Sequence, residues 1–392
     1  MLQSLFRLPR TVWLLGLVSF FNDSASELVY PLVPIYLASV LMAGPKALGI
    51  IEGIAEASGS LLKLFAGVLA DRMRTTKYWV VGGYSLAALG RPLLALATAW
   101  PIVLALRFAD RVGKGLRTAP RDAMLALSVE KNQRGLAFGL HRTMDNAGAV
   151  VGPLAAAGLL ATHMPIREIL LWTMVPGFIT VALALAVREP PRDLPLPSAA
   201  FSWTLRGFPA PFKHYLLVLA LFTLGNSSNM FLLLRARDMG VAEYQVPLLW
   251  ALVALTASVF STPLSALSDR IGRTRLIVAG WGVYGVFYVI LGLNGSMVWL
   301  LWPLFAFYGL FMAATEGAEK ALVADLAPGK ELLGTAYGWF NLTAGIMLLP
   351  ASLLFGWLWQ TINSETAFGF SAGCALLAAL LLKFWVMRGE QA

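Results

Sequence analysis

Ionisable side chains stand inside stretches that are otherwise apolar, and their types and spacing are the first indication of chemistry. Asp23 and Glu27 lie four residues apart with Asn22 and Ser26 beside them, and Glu52 and Glu56 repeat the interval. Residues four apart share one face of a helix, so each pair presents two carboxyls side by side. Arg91, then Arg107, Asp110, Arg111 and Lys114, then His141, Arg142 and Asp145 occupy the next three apolar stretches. A charge in such a setting costs several kcal/mol unless it faces water or a partner. Desolvation favours the neutral carboxyl and a neighbouring cation the charged one. A carboxyl that alternates between these surroundings takes up and releases a proton. Asp23, Glu27, Glu52, Glu56 and Asp145 are therefore the expected proton-coupling or cavity carboxyls, with Arg91, Arg107, Arg111 and Lys114 as positive charge in the same cavity. Arg91 and Arg107 could meet Glu27 or Glu52, and Arg111 and Lys114 could meet Asp23, Glu56 or Asp145; residue order does not fix which pairs form. The competing reading is a permanent ion-paired network with a structural role.

The second half of the chain is more neutral. Asn226, Ser227, Ser228 and Asn229 stand where the first half has Asn22 and Asp23, and Glu316, Glu319 and Lys320 fall in a later apolar stretch. This half is suited to hydrogen-bonding a solute, with Asn22, Asn226, Asn229 and Glu316 as expected substrate contacts. Glu319 with Lys320 is expected nearer the cytoplasmic end. Most of the aromatics, Trp250, Trp281, Tyr284, Tyr288 and Tyr308 among them, are expected to pack between helices or face lipid, with a few lining an aromatic pocket.

Enzyme chemistry has no visible seat. Gly113-Lys-Gly115 lacks the glycine spacing and strand context of a phosphate loop. His141, His163 and His214 have no spacing suited to zinc, and no serine sits in a strand–turn–helix elbow. The single cysteine, Cys374, excludes an internal disulfide and a cysteine metal cluster. Neither a metal nor a cofactor is expected, and the chain reads as a non-enzyme.

The elements that carry these residues must be membrane spans. The chain is 58% hydrophobic and only 13% charged, against about 25% charged for a soluble domain, and a surface that apolar is stable only in a bilayer. A helix needs about 20 residues to cross the hydrocarbon core. Twelve such stretches are predicted, at 12–38, 47–70, 78–98, 101–121, 135–161, 166–187, 214–236, 245–268, 275–293, 297–322, 333–358 and 366–387. The basic start is followed by an apolar stretch with Asn22, Asp23 and Glu27 and no small-residue cleavage site, so it reads as a retained first span and not a signal peptide. The net charge of +9 sits mostly in alternate loops, which puts both termini in the cytoplasm. No basic face interleaved with aromatics lies outside the spans, which argues against a nucleic-acid partner.

An internal repeat links the halves. Gly67-Val-Leu-Ala-Asp71-Arg72 recurs about half a chain later as Ser265-Ala-Leu-Ser-Asp269-Arg270, and Arg134-Gly-Leu-Ala-Phe-Gly139 as Leu333-Gly-Thr-Ala-Tyr-Gly338. Repeats of this kind mark transporters in which two bundles rock around a mid-membrane site. Over nearly its whole length the chain resembles the major facilitator superfamily. Gly67-x-Leu-Ala-Asp71-Arg72 resembles the superfamily's loop after the second helix, departing from it at Arg74, where a glycine is usual. Arg107-Phe-Ala-Asp110-Arg-Val-Gly113 resembles its fourth-helix motif, and Gly148-Ala-Val-Val-Gly152-Pro153 its fifth-helix motif of antiporters. The aspartates can pair across helices, so Gly67, Asp71, Arg72, Asp269 and Arg270 are expected to form a conformational latch. Gly148, Gly152 and Pro153 are expected to let a neighbouring helix approach closely and to kink their own.

The expected fold is thus an all-α integral membrane protein of twelve helices in two pseudo-symmetric six-helix bundles, residues 1–187 and 214–392, joined by a proline-rich cytoplasmic linker at 188–213. The expected function is secondary transport: proton-coupled export of a small organic solute, drug or metabolite, from a bacterial inner membrane. An importer or uniporter of an anionic solute, such as a metal chelate or organic acid, is the alternative raised by the arginines. A membrane-embedded enzyme or receptor would need a catalytic cluster or an output domain, and neither is visible. A carrier that encloses its own pathway can work as a monomer.

Overall fold

The computed structural model describes residues 8–72, 75–130, 133–189, 204–327 and 332–386. Among them the fold is all-helical. In chain order the helices are α1 (Arg10–Val29), α2 (Leu32–Ser39), α3 (Pro45–Arg72), α4 (Lys77–Leu93), α5 (Trp100–Leu127), α6 (Arg134–Ala161), α7 (Ile166–Trp172) and α8 (Met174–Ala186). They continue as α9 (Ala210–Gly225), α10 (Met230–Asp238), α11 (Val246–Ile271), α12 (Arg273–Leu293), α13 (Leu301–Leu326), α14 (Leu333–Thr361) and α15 (Ser364–Leu381).

Two compact units divide them. Unit 1 takes residues 1–41, 58–200 and 243–251, and unit 2 takes 42–57, 201–242 and 252–392. The first half of α3 therefore belongs to unit 2, and the first turns of α11 belong to unit 1. In unit 1, α1 packs on α6 and α8, and α4 packs on α5 and α8. In unit 2, α9 packs on α14 and α15, and α12 packs on α13 and α15. The same pairing scheme is built twice, as expected where two halves of a sequence repeat.

Eight helices among the described residues are long and apolar enough to cross a membrane. Two of the remaining long elements, α5 and α11, miss that description for visible reasons. Along α5, Arg107, Asp110, Arg111, Lys114, Arg117, Arg121 and Asp122 dilute the apolar residues, and α11 is apolar only over Val246–Ser261.

Two expected spans are interrupted. The stretch 12–38 breaks at Tyr30 and Pro31 into α1 and α2, because proline lacks the N–H that would continue the ladder. The stretch 214–236 unwinds at 226–229 into α9 and α10. Asn and Ser side chains compete for backbone hydrogen bonds, and here they find partners. The Tyr284 hydroxyl donates to Gly225 O at 2.9 Å and the Met230 N–H donates to Ser228 Oγ at 3.3 Å. Irregular backbone at membrane depth persists only where protein or water satisfies it.

Apolar burial does little to join helices already in lipid, so close backbone approach and hydrogen bonds carry much of the association. The α1–α6 seam shows this. A Cβ at Gly148 would lie 2.6 Å from Phe20 O, and one at Gly152 would lie 2.7 Å from Leu28 N. Neither position has room for a side chain. Gly152→Val should force the helices apart at a cost of about 1–3 kcal/mol or more, as overpacking does. A lowered unfolding midpoint of the detergent-solubilised protein would register it, and an unchanged midpoint would contradict the packing.

Candidate functional site

In unit 1 the glycine seam positions the chemistry. Gly148 brings α1 so close that its added Cβ would stand 3.1 Å from Asp23 Cβ, one turn from Asp145 on the same helix. The two half-buried carboxyls meet there and share a hydrogen bond. Each is also held by a donor of its own. Ser19 Oγ donates to Asp145 Oδ1, and Asn22 Nδ2 donates to Asp23 Oδ1 at 2.8 Å. A carboxylate only accepts hydrogen bonds, so two carboxyls can bond to one another only when one of them carries a proton. Arg142 reaches Asp145 only at 3.9 Å and is largely exposed.

Glu27 sits one turn further along α1, half-buried, and accepts from Trp250 Nε1 at 2.8 Å. The Trp250 ring stacks on Tyr30 with centroids 4.9 Å apart. Arg107, Arg111 and Lys114 all act on Glu27, and Lys114 acts on Asp23 as well. Arg107 and Arg111 are buried, whereas Lys114 is exposed.

The expectation that Arg91 meets Glu27 or Glu52 is corrected. Arg91, 4% exposed, is bound to Asp110 at 3.1 Å and donates to Asn22 O at 2.9 Å. Its partner lies on α5, the helix that packs on its own, and the choice of pairs turns on which helices adjoin. Arg107, Arg111 and Arg117 also act on Asp110 through their charge. Arg117, not anticipated as a site residue, donates to Gly83 O at 3.1 Å and lies over the Tyr84 ring at 4.5 Å.

Glu52 and Glu56 belong to unit 2. Glu52 is fully buried and accepts from Ser228 Oγ at 3.1 Å, and the Ser228 N–H donates to Ser352 Oγ at 3.4 Å. Glu56 is half-buried one turn along α3. Of the expected substrate contacts, Asn226 closes the C-terminus of α9. Asn229 opens α10 and accepts from the Tyr308 hydroxyl at 2.5 Å. Glu316 is exposed and pairs with Lys320 at 3.2 Å. Glu319 turns elsewhere, accepting from Trp281 Nε1 at 3.0 Å. The side chains of Gly67, Asp71, Arg72 and Asp269 lie outside the described residues, and Arg270 is exposed near the end of α11.

The model of the Major Facilitator Superfamily matches residues 12–234 and 215–392. The chain belongs to the major facilitator superfamily. It is a membrane transporter and not an enzyme. An uncharacterised MFS-type transporter of Methanocaldococcus jannaschii is 35% identical over 387 residues, covering 96% of this chain and 95% of the relative. The multidrug resistance protein MdtG of Salmonella arizonae is 26% identical, covering 78% of this chain and 77% of that protein. MdtH of Photorhabdus laumondii, also a multidrug resistance protein, is 25% identical over 85% of this chain and 82% of its own. The fold of a nucleoside transporter, NupG, superposes with a TM-score of 0.82 at 12% identity over 95% of this chain and 99% of that one. In this superfamily transporter the signal for Asp145 as partner of Asp23 was the glycine motif itself, since Gly148 marks the stretch of α6 that α1 can touch.

Proposed function

We propose that the chain is a proton-coupled secondary transporter that exports a small organic solute by alternating access. The observation that carries this reading is the hydrogen-bonded pair of Asp23 and Asp145 in the α1–α6 seam. Positive charge brought near the pair favours the ionised form and expels the shared proton; its departure lets the proton return. Lys114 already acts on Asp23, and a solute carrying charge would act in the same sense. The multidrug resistance proteins among the relatives support an organic solute and the outward direction. The anionic alternative is weakened, because Asp110 and Glu27 answer part of the positive charge that suggested it.

In this reading twelve helices cross the membrane, with both termini cytoplasmic and the basic loops on that side, as for a bacterial inner membrane. The repeat units at 1–187 and 214–392 act as two bundles, and the Asp71 and Asp269 loops latch one conformation. The carrier works without cofactor, needs only solute, protons and lipid, and functions as a monomer.

The test is uptake into proteoliposomes with an imposed pH gradient. Accumulation of a transported solute should collapse when nigericin dissipates the gradient, and uptake unaffected by nigericin would sink the proton-coupled reading.

A further inference from the structure

The charge cluster of unit 1 closes around a small space. A cavity of about 10 Å³ lies among α1, α4 and α5, and its walls include Ser26, Gly90, Arg91, Leu106, Arg107 and Asp110. A single water molecule needs about 10–15 Å³ and roughly two to four polar partners. Asp110 supplies the first of these. Arg91 stands 3.1 Å from Asp110 Oδ1 as an ion pair, yet that oxygen accepts no hydrogen bond among the described residues. Charges can lie close without an N–H being aimed along the line between them, and a poorly aligned hydrogen bond is weak. Arg91 turns Nη1 to Asn22 O instead, at 2.9 Å. Asp110 is almost wholly buried, and a buried acceptor left without a donor is costly. Native structures meet such groups with protein donors or with ordered water.

The walls decide what can fill the space. A cation would meet Arg91 and Arg107, and an anion would meet the Asp110 carboxylate. The guest must therefore be neutral, and the volume admits one heavy atom. Arginine only donates hydrogen bonds, a carboxylate only accepts them, and the Ser26 hydroxyl does both. Water alone among guests of that size donates to the carboxylate and accepts from its other neighbours. An apolar guest would leave the oxygen as it stands.

We propose that one water molecule is bound in this cavity as a fixed part of the fold, donating to Asp110 Oδ1 and bridging to Ser26. It gives the charge cluster of α4 and α5 a second polar tie to α1, beside the bond from Arg91 to Asn22 O. That helix carries Asp23 and Glu27, so the water helps to hold their register against the arginines. The proposal does not depend on the exporter reading and holds whatever the solute.

Gly90 provides the test. A Cβ there would meet nothing closer than Leu106 O at 3.7 Å, an ordinary contact, so Gly90→Ala fits the backbone but places a methyl where the water sits. Gly82, on the same helix, has open space at its Cβ. Alanine for glycine inside a helix ordinarily stabilises, and Gly82→Ala should raise the unfolding midpoint of the detergent-solubilised full chain. Gly90→Ala should do the opposite, because the displaced water leaves Asp110 Oδ1 without a donor. Its folding equilibrium constant should fall about tenfold, the scale of an unanswered buried acceptor. Gly90→Ala as stable as the native protein, or more so, would mean that the methyl fills a dry cavity and would overturn the proposal. A crystal structure or cryo-EM map of the native chain that resolves ordered water checks the same point with no variant. A peak within about 3.2 Å of Asp110 Oδ1 is expected, and a map that shows other buried waters but none there would also overturn it.

Discussion

Asp23→Asn is expected to abolish gradient-driven accumulation while the protein remains folded and monodisperse. The amide keeps the shape of the carboxyl and can still hydrogen-bond Asp145, but it holds no dissociable proton. The seam therefore stays closed, since its packing depends on Gly148 and Gly152 and not on the charge. What is lost is the link between solute and proton. Solute-for-solute exchange across vesicles with no pH gradient should persist, because it demands no net proton movement. Accumulation against a gradient should fall to the passive leak. Asp145→Asn should behave alike, since the two groups form one proton-holding unit and either change breaks it. Asn variants that still accumulate solute in response to a pH gradient would remove the pair from the mechanism.

Asp110→Asn should be among the most destabilising single changes in unit 1. Arg91 and Asp110 are each 4% exposed, and the pair closes at 3.1 Å. Asp110 is one acid facing Arg91, Arg107, Arg111 and Arg117. Removing one member of a buried pair leaves an uncompensated charge and costs about 3–5 kcal/mol. Arg91→Met alone should cost less, because the other arginines still answer Asp110. The double variant Arg91→Met/Asp110→Asn should cost clearly less than the sum of the two. Unfolding free energies in mixed micelles would measure this, and additivity to within about 0.5 kcal/mol would mean the pair is not coupled.

Much of this architecture could be read from residue order alone. The helices lie close to the expected spans because apolar runs of the right length have few alternatives once every backbone group must be satisfied internally. Asp23, Glu27 and Asp145 could be singled out because charge in such runs is exceptional. The pairs were harder. Charge and depth made Glu27 or Glu52 plausible for Arg91, and only the packing of α4 on α5 selects Asp110. The breaks in the first and seventh spans needed a weighing of local against ladder hydrogen bonds. Pro31 announces its break, whereas Asn226–Asn229 reads as a merely polar patch until Tyr284 is seen to take the freed carbonyl of Gly225. Glu316 stands four residues before Lys320 and shares its face, whereas Glu319 is its immediate neighbour and does not, so the spacing already favours Glu316 as the partner. The structure gives Lys320 to Glu316 and leaves Glu319 to Trp281.

The most direct measurement is of the proton itself. Vesicles reconstituted with the purified chain and loaded with a pH-sensitive dye are given solute on one side with no imposed gradient. A pair of carboxyls that trades its proton against the solute predicts an immediate shift of lumenal pH, present in the native protein and absent from Asp23→Asn. Solute entry with a flat pH trace in the native protein would contradict the account.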